Sequence, residues 1–131
     1  MILIDTSAIL AVLDKNDLHH LRAAHFWEKL VKSGDEIFIN SHLLIETTAL
    51  IQRRYGVAVL RSFHLGMLPL FQVEWIDEEK YNEAMEILLF ANRRHLSLVD
   101  VSAFATMRRL RITRVFTFDR HFAEQGFEVL P

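Results

Sequence analysis

The sequence predicts an α/β fold, a three-layer α/β/α sandwich around a mostly parallel five-stranded sheet. Two observations predict this fold. Short apolar runs alternate along the chain with segments of helical periodicity, an order that favours right-handed crossovers between parallel strands. The first run, Met1 to Ile4, is apolar without alternation, as expected of a strand that is buried on both faces of a sheet.

The composition agrees with a single domain over residues 1–131, with 51% hydrophobic residues for a core. There are no cysteines, which excludes disulfides and thiolate metal sites and fits a reducing compartment. The apolar N terminus lacks a basic leader, and no apolar run approaches the length of a membrane span. We therefore expect a cytoplasmic protein that is neither exported nor inserted into a membrane.

Helical segments in the first half of the chain are marked by polar caps or breakers at their ends. They are Thr6 to Leu13, Asn16 to Ser33, His42 to Tyr55 and Val57 to Leu68, the last of which stops at Pro69. Between them, Ile37 to Ile39 reads as a second buried strand. Phe71 to Trp75 alternates in polarity, which predicts an edge strand with one wetter face.

The second half continues the alternation of helices and strands. Asp77 and two following glutamates open a helix with acids where the helix dipole favours them, and Ser97 caps another helix that runs to Leu110. The remaining predicted elements are a strand from Thr113 to Phe118, a short helix from Arg120 to Gln125 and a last strand from Phe127 to Leu130.

Two acids come directly after predicted strands, Asp5 after the first and Asp119 after the fourth. Each could be a helix cap. In a parallel sheet, however, the carboxyl ends of the strands face one crevice, which is where ligands bind in such folds. Because two strands are each followed by an aspartate, a shared ligand site is favoured over helix capping alone.

Two further acids, Glu46 and Asp100, lie beside apolar residues of their helices, where a carboxylate is unexpected. Glu46 borders the apolar stripe of its helix, where a glutamate that snorkels to water is the alternative interpretation. Asp100 lies on the apolar side of a helix that is hydrophobic nearly all round. A buried carboxylate without a partner is costly. The alternative for Asp100 is that it satisfies free backbone donors in the first helical turn.

Together Asp5, Glu46, Asp100 and Asp119 form a candidate carboxylate cluster, which like charges would destabilise unless a cation neutralises them. Oxygen ligands alone favour Mg²⁺ or Mn²⁺ over Zn²⁺. Such a cation can activate water for phosphodiester hydrolysis. The three histidines of the second helical segment are expected to be solvated or boundary residues rather than ligands; they are His19, His20 and His25.

The net charge of −2 argues against bulk attraction of nucleic acid, but the charge is unevenly distributed. The stretch from Arg93 to Arg120 contains seven arginines and only two acids, Asp100 and Asp119. We interpret this as a local basic face that could hold RNA phosphate. The candidate RNA-binding residues are Arg93, Arg94, Arg108, Arg109 and Arg120. The alternative is an ordinary solvated helix face.

The four acids occur in motifs that resemble those of PIN domains. The motifs are Ile4-Asp5-Thr6-Ser7, the helical Glu46 after the second strand, Leu96-Ser97-Leu98-Val99-Asp100, Phe116-Thr117-Phe118-Asp119 and the tail Arg120-His121-Phe122 to Pro131. Their order and spacing match over essentially the whole chain, and the minimal form is similar to VapC-type ribonuclease toxins of toxin–antitoxin pairs.

The resemblance implies an Mg²⁺- or Mn²⁺-dependent endoribonuclease that acts on RNA, forms a homodimer and is inhibited by a cognate antitoxin protein. It implies Asp5 and Asp100 as principal metal ligands, with Glu46 and Asp119 completing the site directly or through water. Thr6 and Thr117 would be supporting hydroxyls near the metal.

Three alternatives remain open. The first is a non-catalytic PIN-like binding subunit in which the acids mainly cap helices. The second is an RNA-processing PIN nuclease outside toxin–antitoxin systems. The third, an enzyme with an aspartate nucleophile that transfers phosphoryl groups, ranks last because Ser7 occupies the place of its usual second aspartate.

Overall fold

The computed structural model describes residues 1–131. Five parallel strands form one sheet in the order β3-β2-β1-β4-β5. The strands are β1 Ile2–Ile4, β2 Ile37–Asn40, β3 Phe71–Glu74, β4 Arg114–Phe116 and β5 Glu128–Leu130. The predicted α/β sandwich is confirmed, and the alternating stretch at Phe71 is indeed an edge strand.

Seven α-helices connect the strands. They are α1 Thr6–Leu13, α2 His20–Ser33, α3 Ser41–Tyr55, α4 Val57–Ser62, α5 Glu78–Ala91, α6 Leu98–Leu110 and α7 His121–Glu124. With right-handed crossovers, the helices that precede β3 cover one face of the sheet and those that follow β3 cover the other. None of the helices combines the length and the apolar composition that a membrane span requires.

Strand β1 and helix α6 are the most fully buried elements of the core. Ile2, Leu3 and Ile4 have no exposed surface, as a central strand covered on both faces requires. Helix α6 is buried from Val101 to Met107, in agreement with its apolar circumference. Trp27 packs edge-on against Phe71, with ring centroids 6.1 Å apart, so this aromatic residue of α2 contributes to the core.

Two predicted helix boundaries differ from the structure by several residues, for local reasons. Helix α2 begins at His20 rather than Asn16 because the side chains of Asp14 and Asp17 accept backbone hydrogen bonds and form turns there. The segment after Ser62 widens into a π-helical turn and then a 3₁₀ turn that contains Pro69. Proline fits there because the first turn of a helix needs no amide donor.

Strand β4 ends at Phe116, two residues earlier than predicted, and this shorter strand shapes the crevice. The backbone of Thr117 still donates to Leu130 of β5, but its side chain turns to the neighbouring β1–α1 connection. Because β1 pairs with β2 on one side and β4 on the other, the direction of the crossovers reverses beside β1. That reversal is where open α/β sheets form their ligand crevice.

Candidate active site

Asp5 follows β1 directly and is only 6% exposed. Its backbone is at the N-cap position of α1, yet its side chain makes no capping hydrogen bond. Instead Oδ2 accepts hydrogen bonds from Ser7 Oγ at 2.7 Å and Thr117 Oγ1 at 2.8 Å. The carboxylate is therefore oriented by hydroxyl groups from two strand ends, and helix capping does not explain it.

The two supporting hydroxyls predicted from the sequence take different positions. Thr117 contacts Asp5, whereas Thr6 donates to Glu46 Oε2 at 3.2 Å and shares a 2.8 Å hydrogen bond with Thr47. Ser7 was missed by the sequence analysis. Its Oγ lies 3.1 Å from Thr117 Oγ1 and accepts from the backbone of Phe118 at 3.0 Å, so it ties β4 to the Asp5 turn.

Asp100 is the third residue of α6 and combines two roles. Its backbone amide donates to Ser97 Oγ at 3.0 Å, and its Oδ2 accepts from the Ser97 amide at 3.3 Å, which is a complete capping box. The capping alternative for Asp100 is thus real. The same Oδ2 also lies 3.7 Å from Nδ1 of His121, so the cap orients the carboxylate towards the site.

Asp119 and His121 are held by the turn that follows β4. The Asp119 amide donates to Thr117 Oγ1 at 2.9 Å, and the His121 amide donates to Asp119 Oδ1 at 2.9 Å. Ligand atoms of Asp100, Asp119 and His121 all lie within 4.8 Å of one another. His121 is a further residue that the sequence analysis missed; its only signal was a histidine two positions after the acid.

The electrostatics show that the acids share one region. Burial raises the pKa of Asp5 from 3.8 to about 6, the Ser7 and Thr117 hydroxyls oppose this rise, and repulsion from Asp100 and Asp119 adds to it. Burial, opposed by the hydrogen bonds to Ser97 and strengthened by Asp119, also raises the pKa of Asp100. None of these three carboxylates pairs with a lysine or arginine.

Glu46 lies on α3 at the margin of this group. Burial raises its pKa, the Thr6 hydroxyl opposes the shift, and repulsion from Asp100 adds to it. A hollow of about 300 Å³ adjoins Glu46 and is lined by His42, Ile45, Leu98 and Val99. Glu46 is therefore within electrostatic reach of Asp100, and the hollow leaves an open side next to Glu46.

The candidate RNA-binding arginines differ in their surroundings. Arg109 is held inside the fold by Glu74, 2.5 Å away, and by Glu83 at 3.4 Å. Arg93 pairs with Glu124 at 3.3 Å, and Arg108 donates to Gln125 at 2.8 Å. The other two, Arg94 and Arg120, are exposed and make no ion pair.

The histidines of the α2 region do not form a ligand set. His20 Nδ1 lies 2.7 Å from the carbonyl oxygen of Ala11, His19 stacks on Phe118 with centroids 4.4 Å apart, and His25 is exposed. The donors gathered near Asp5 are thus mainly hard oxygens with one imidazole nitrogen. Such a set fits a divalent cation of the Mg²⁺ or Mn²⁺ type.

Comparison with known proteins finds one family model and several relatives that are similar to this chain over its whole length. A family model described as "PIN domain" matches residues 2–128. A curated protein of Mycobacterium tuberculosis, "23S rRNA-specific endonuclease VapC20", is 31% identical over 133 residues, which cover 100% of this chain and 99% of the relative.

Solved structures agree with this match. The crystal structure of Mycobacterium tuberculosis VapC20, described as a sarcin-ricin loop cleaving toxin, has a TM-score of 0.83, 28% identity and full coverage of both chains. The FitAcB structure from Neisseria gonorrhoeae has a TM-score of 0.73 at 18% identity and covers 100% of this chain and 97% of its own. The latter likeness concerns the fold alone.

Proposed function

The chain belongs to the PIN domain family, and from that membership we propose that it is a metal-dependent endoribonuclease, the toxin of a toxin–antitoxin pair. The observation that carries the proposal is the meeting of Asp5 and Asp119, which follow adjacent strands, with Asp100 in the first turn of α6, without any lysine or arginine to neutralise them. The full-length similarity to an rRNA endonuclease supports RNA as the substrate class.

In the proposed mechanism, Asp5, Asp100 and Asp119 would hold the cation, and Glu46 would complete the acidic site directly or through water. A divalent cation bound there supplies Lewis-acid activation of water and neutralises charge that develops on the phosphodiester. Thr117 and Ser7 orient the Asp5 carboxylate by donating hydrogen bonds to it. Thr6 does the same for Glu46, which leaves its second oxygen available to the site.

Binding of the RNA backbone is proposed for the unpaired arginines. Arg94 and Arg120 are exposed, and Arg120 directly follows Asp119 in the chain, so both can reach phosphate oxygens without breaking an ion pair. Arg93 and Arg108 would first have to leave Glu124 and Gln125, and Arg109 would have to leave Glu74. We therefore rank Arg94 and Arg120 above the other three candidates.

The proposal is tested by RNA cleavage with Asp5→Asn and Asp100→Asn, each assayed with and without Mn²⁺. Loss of either carboxylate removes charge that holds the cation, so we expect cleavage to fall at least ~10³-fold, the size of other losses of transition-state charge stabilisation. Glu86→Gln, an exposed change on α5, is the matched control and should cleave like the wild type. Undiminished cleavage in either site variant would contradict the assignment.

The alternatives predict other outcomes. A non-catalytic binding subunit predicts no cleavage and no rise in melting temperature with Mg²⁺ or Mn²⁺, whereas a cation that binds the folded site stabilises it by mass action. An RNA-processing nuclease outside toxin–antitoxin systems predicts cleavage but no cognate inhibitor encoded beside this chain. The aspartate-nucleophile alternative predicts a phosphorylated Asp5, detectable by mass spectrometry after acid quenching.

A homodimer and a cognate antitoxin are also proposed for this chain. Their support beyond family membership is the number of apolar side chains left in solvent on one side of α3. Ile45 and Trp75 are 63% and 66% exposed and line a groove of about 540 Å³ with Leu44, Leu68 and Val73. Sedimentation of the purified chain, alone and with the product of a neighbouring short reading frame, tests both partners.

A further inference from the structure

The imidazole of His121 is placed unusually for a residue that only supports the fold. Its side chain is 17% exposed, while its Nδ1 atom is inaccessible to solvent and makes no hydrogen bond. It is the only such side-chain atom in the structure. A buried polar atom without a partner costs stability, so its position needs a reason.

The surroundings of Nδ1 supply a reason. It lies 3.2 Å from Asp119 Oδ1 and 3.7 Å from Asp100 Oδ2. In an octahedral site with metal–ligand bonds of ~2.1 Å, neighbouring ligand atoms are separated by ~3 Å. Nδ1 of His121 therefore already stands near the spacing of a neighbouring ligand from each carboxylate, and the three ligand atoms all lie within 4.8 Å of one another.

The two carboxylates do not need the imidazole to orient them. Asp119 Oδ1 accepts from the His121 backbone amide, and Asp100 Oδ2 accepts from the Ser97 amide. Both contacts are made by main-chain groups, which would persist without the imidazole. If Nε2 carries the proton, the lone pair of Nδ1 is free for a cation.

We propose that Nδ1 of His121 ligates the cation held by Asp100 and Asp119, and that this nitrogen gives the site a preference for Mn²⁺ over Mg²⁺. The inference rests on the proposed function, because it concerns the ligand set of the same site. Mg²⁺ takes oxygen ligands almost exclusively and gains little from an imidazole, whereas first-row transition metals bind imidazole more strongly.

The test combines spectroscopy with binding. Mn²⁺ is added to metal-free wild type, and pulsed electron paramagnetic resonance records whether a nitrogen nucleus is coupled to the ion. Isothermal titration calorimetry then gives the Kd for Mn²⁺ and Mg²⁺. We expect nitrogen coupling in the wild type, its loss in His121→Gln, and its retention in His25→Gln, an exposed histidine change on α2.

The binding data should show the same selectivity. We expect His121→Gln to weaken Mn²⁺ binding at least ~10-fold and to change Mg²⁺ binding much less, since only the transition metal loses a preferred ligand. Thermal unfolding without metal checks that the variant is folded. Should it be unfolded, His121→Asn, a smaller change at the same position, replaces it in both measurements, with the same loss of nitrogen coupling expected.

The failures of the two proposals can be told apart. Two results would show that the imidazole lies beside the acids without binding the cation. They are bound Mn²⁺ without nitrogen coupling, and an equal loss of Mg²⁺ and Mn²⁺ affinity in His121→Gln. The proposed endoribonuclease activity would not be contradicted by either result. If wild type binds neither ion and cleaves no RNA, both proposals fail. If coupling persists in His121→Gln, another histidine supplies the nitrogen and the assignment is wrong.

Discussion

Two carboxylates at the carboxyl end of the sheet, Glu74 and Asp5, have opposite electrostatic surroundings. Glu74 ends β3 and is met by Arg109, 2.5 Å away, and by the Thr106 hydroxyl at 2.9 Å. Burial would raise the pKa of Glu74, but these hydrogen bonds outweigh it and lower the pKa. Asp5 follows β1, receives only hydroxyl groups, and has its pKa raised to about 6.

The difference shows which carboxylate the fold neutralises by itself. At the edge strand, Arg109 neutralises Glu74 within the fold, and the pKa of Glu74 is lowered as a result. At Asp5 the fold adds Asp100 and Asp119 instead of a cation, which costs stability as long as no ligand is bound. Such uncompensated charge in a crevice is typical of functional sites.

The largest expected effect on stability comes from removing the uncompensated charge with Asp5→Asn. Because the pKa of Asp5 is raised in the folded state, folding is favoured by protonation; the penalty is absent below about pH 3.8, grows up to about pH 6 and is complete above it. A rise from 3.8 to about 6 corresponds to about 3 kcal/mol.

Asp5→Asn should therefore raise the free energy of unfolding by up to about 3 kcal/mol at pH 7 in the presence of a chelator, and by nearly nothing at pH 4. Urea unfolding of variant and wild type at both pH values measures this. Glu86→Gln should show no such gain. A variant that is less stable than wild type at pH 7 would mean that Asp5 is compensated in the folded protein.

A smaller effect of opposite sign is expected from opening the compensated pair with Arg109→Met. The Glu74 carboxylate would lose its cation while only 10% exposed, at a cost of about 2 kcal/mol, below the range for fully buried pairs because the Arg109 side chain is 27% exposed. The lowered pKa of Glu74 contributes stability above pH 4.5, so the cost should fade as the pH drops below that value.

Arg93→Met serves as the comparison for that experiment, since it breaks an exposed pair with Glu124 and should cost less than about 1 kcal/mol. Equal losses in the two variants at pH 7, measured by urea unfolding, would show that Arg109 is no more than a surface partner. RNA cleavage by folded Arg109→Met should stay close to that of the wild type, because Glu74 holds Arg109 and we rank it below Arg94 and Arg120 as an RNA contact.

The smallest effects are expected from two matched hydroxyl deletions. Thr117→Val removes the donor to Asp5, and Thr106→Val removes the donor to Glu74. Each should cost about 1.5 kcal/mol in unfolding free energy, since each removes a hydrogen bond to a carboxylate and the bond that the hydroxyl accepts from Asp119 or Asn40. Only Thr117→Val should slow RNA cleavage. A comparable loss of cleavage in Thr106→Val would extend the functional region to the edge strand.

Much of the fold was predictable because its signals are local. The apolar run at Ile2–Ile4, the cap at Ser97 and the breaker at Gly56 each depend on a few neighbouring residues. The end of β1 before Asp5 followed in the same way, whereas the predicted fourth strand continued to Phe118, two residues beyond its end at Phe116. Thr117 alternates with its neighbours like a strand residue, and only its hydrogen bond to Asp5 shows why it leaves the strand.

The sequence by itself determined the α/β class, the alternation of strands and helices, and the acids at strand ends, because periodicity and turn chemistry are properties of short segments. The tertiary structure alone decided that Asp100 meets His121 and Asp119, that Ser7 contacts Thr117, and that Arg109 is held by Glu74. Glu74 and Arg109 are 35 residues apart in the chain. Partners so distant leave no local pattern, since the packing of the sheet and helices alone brings them together.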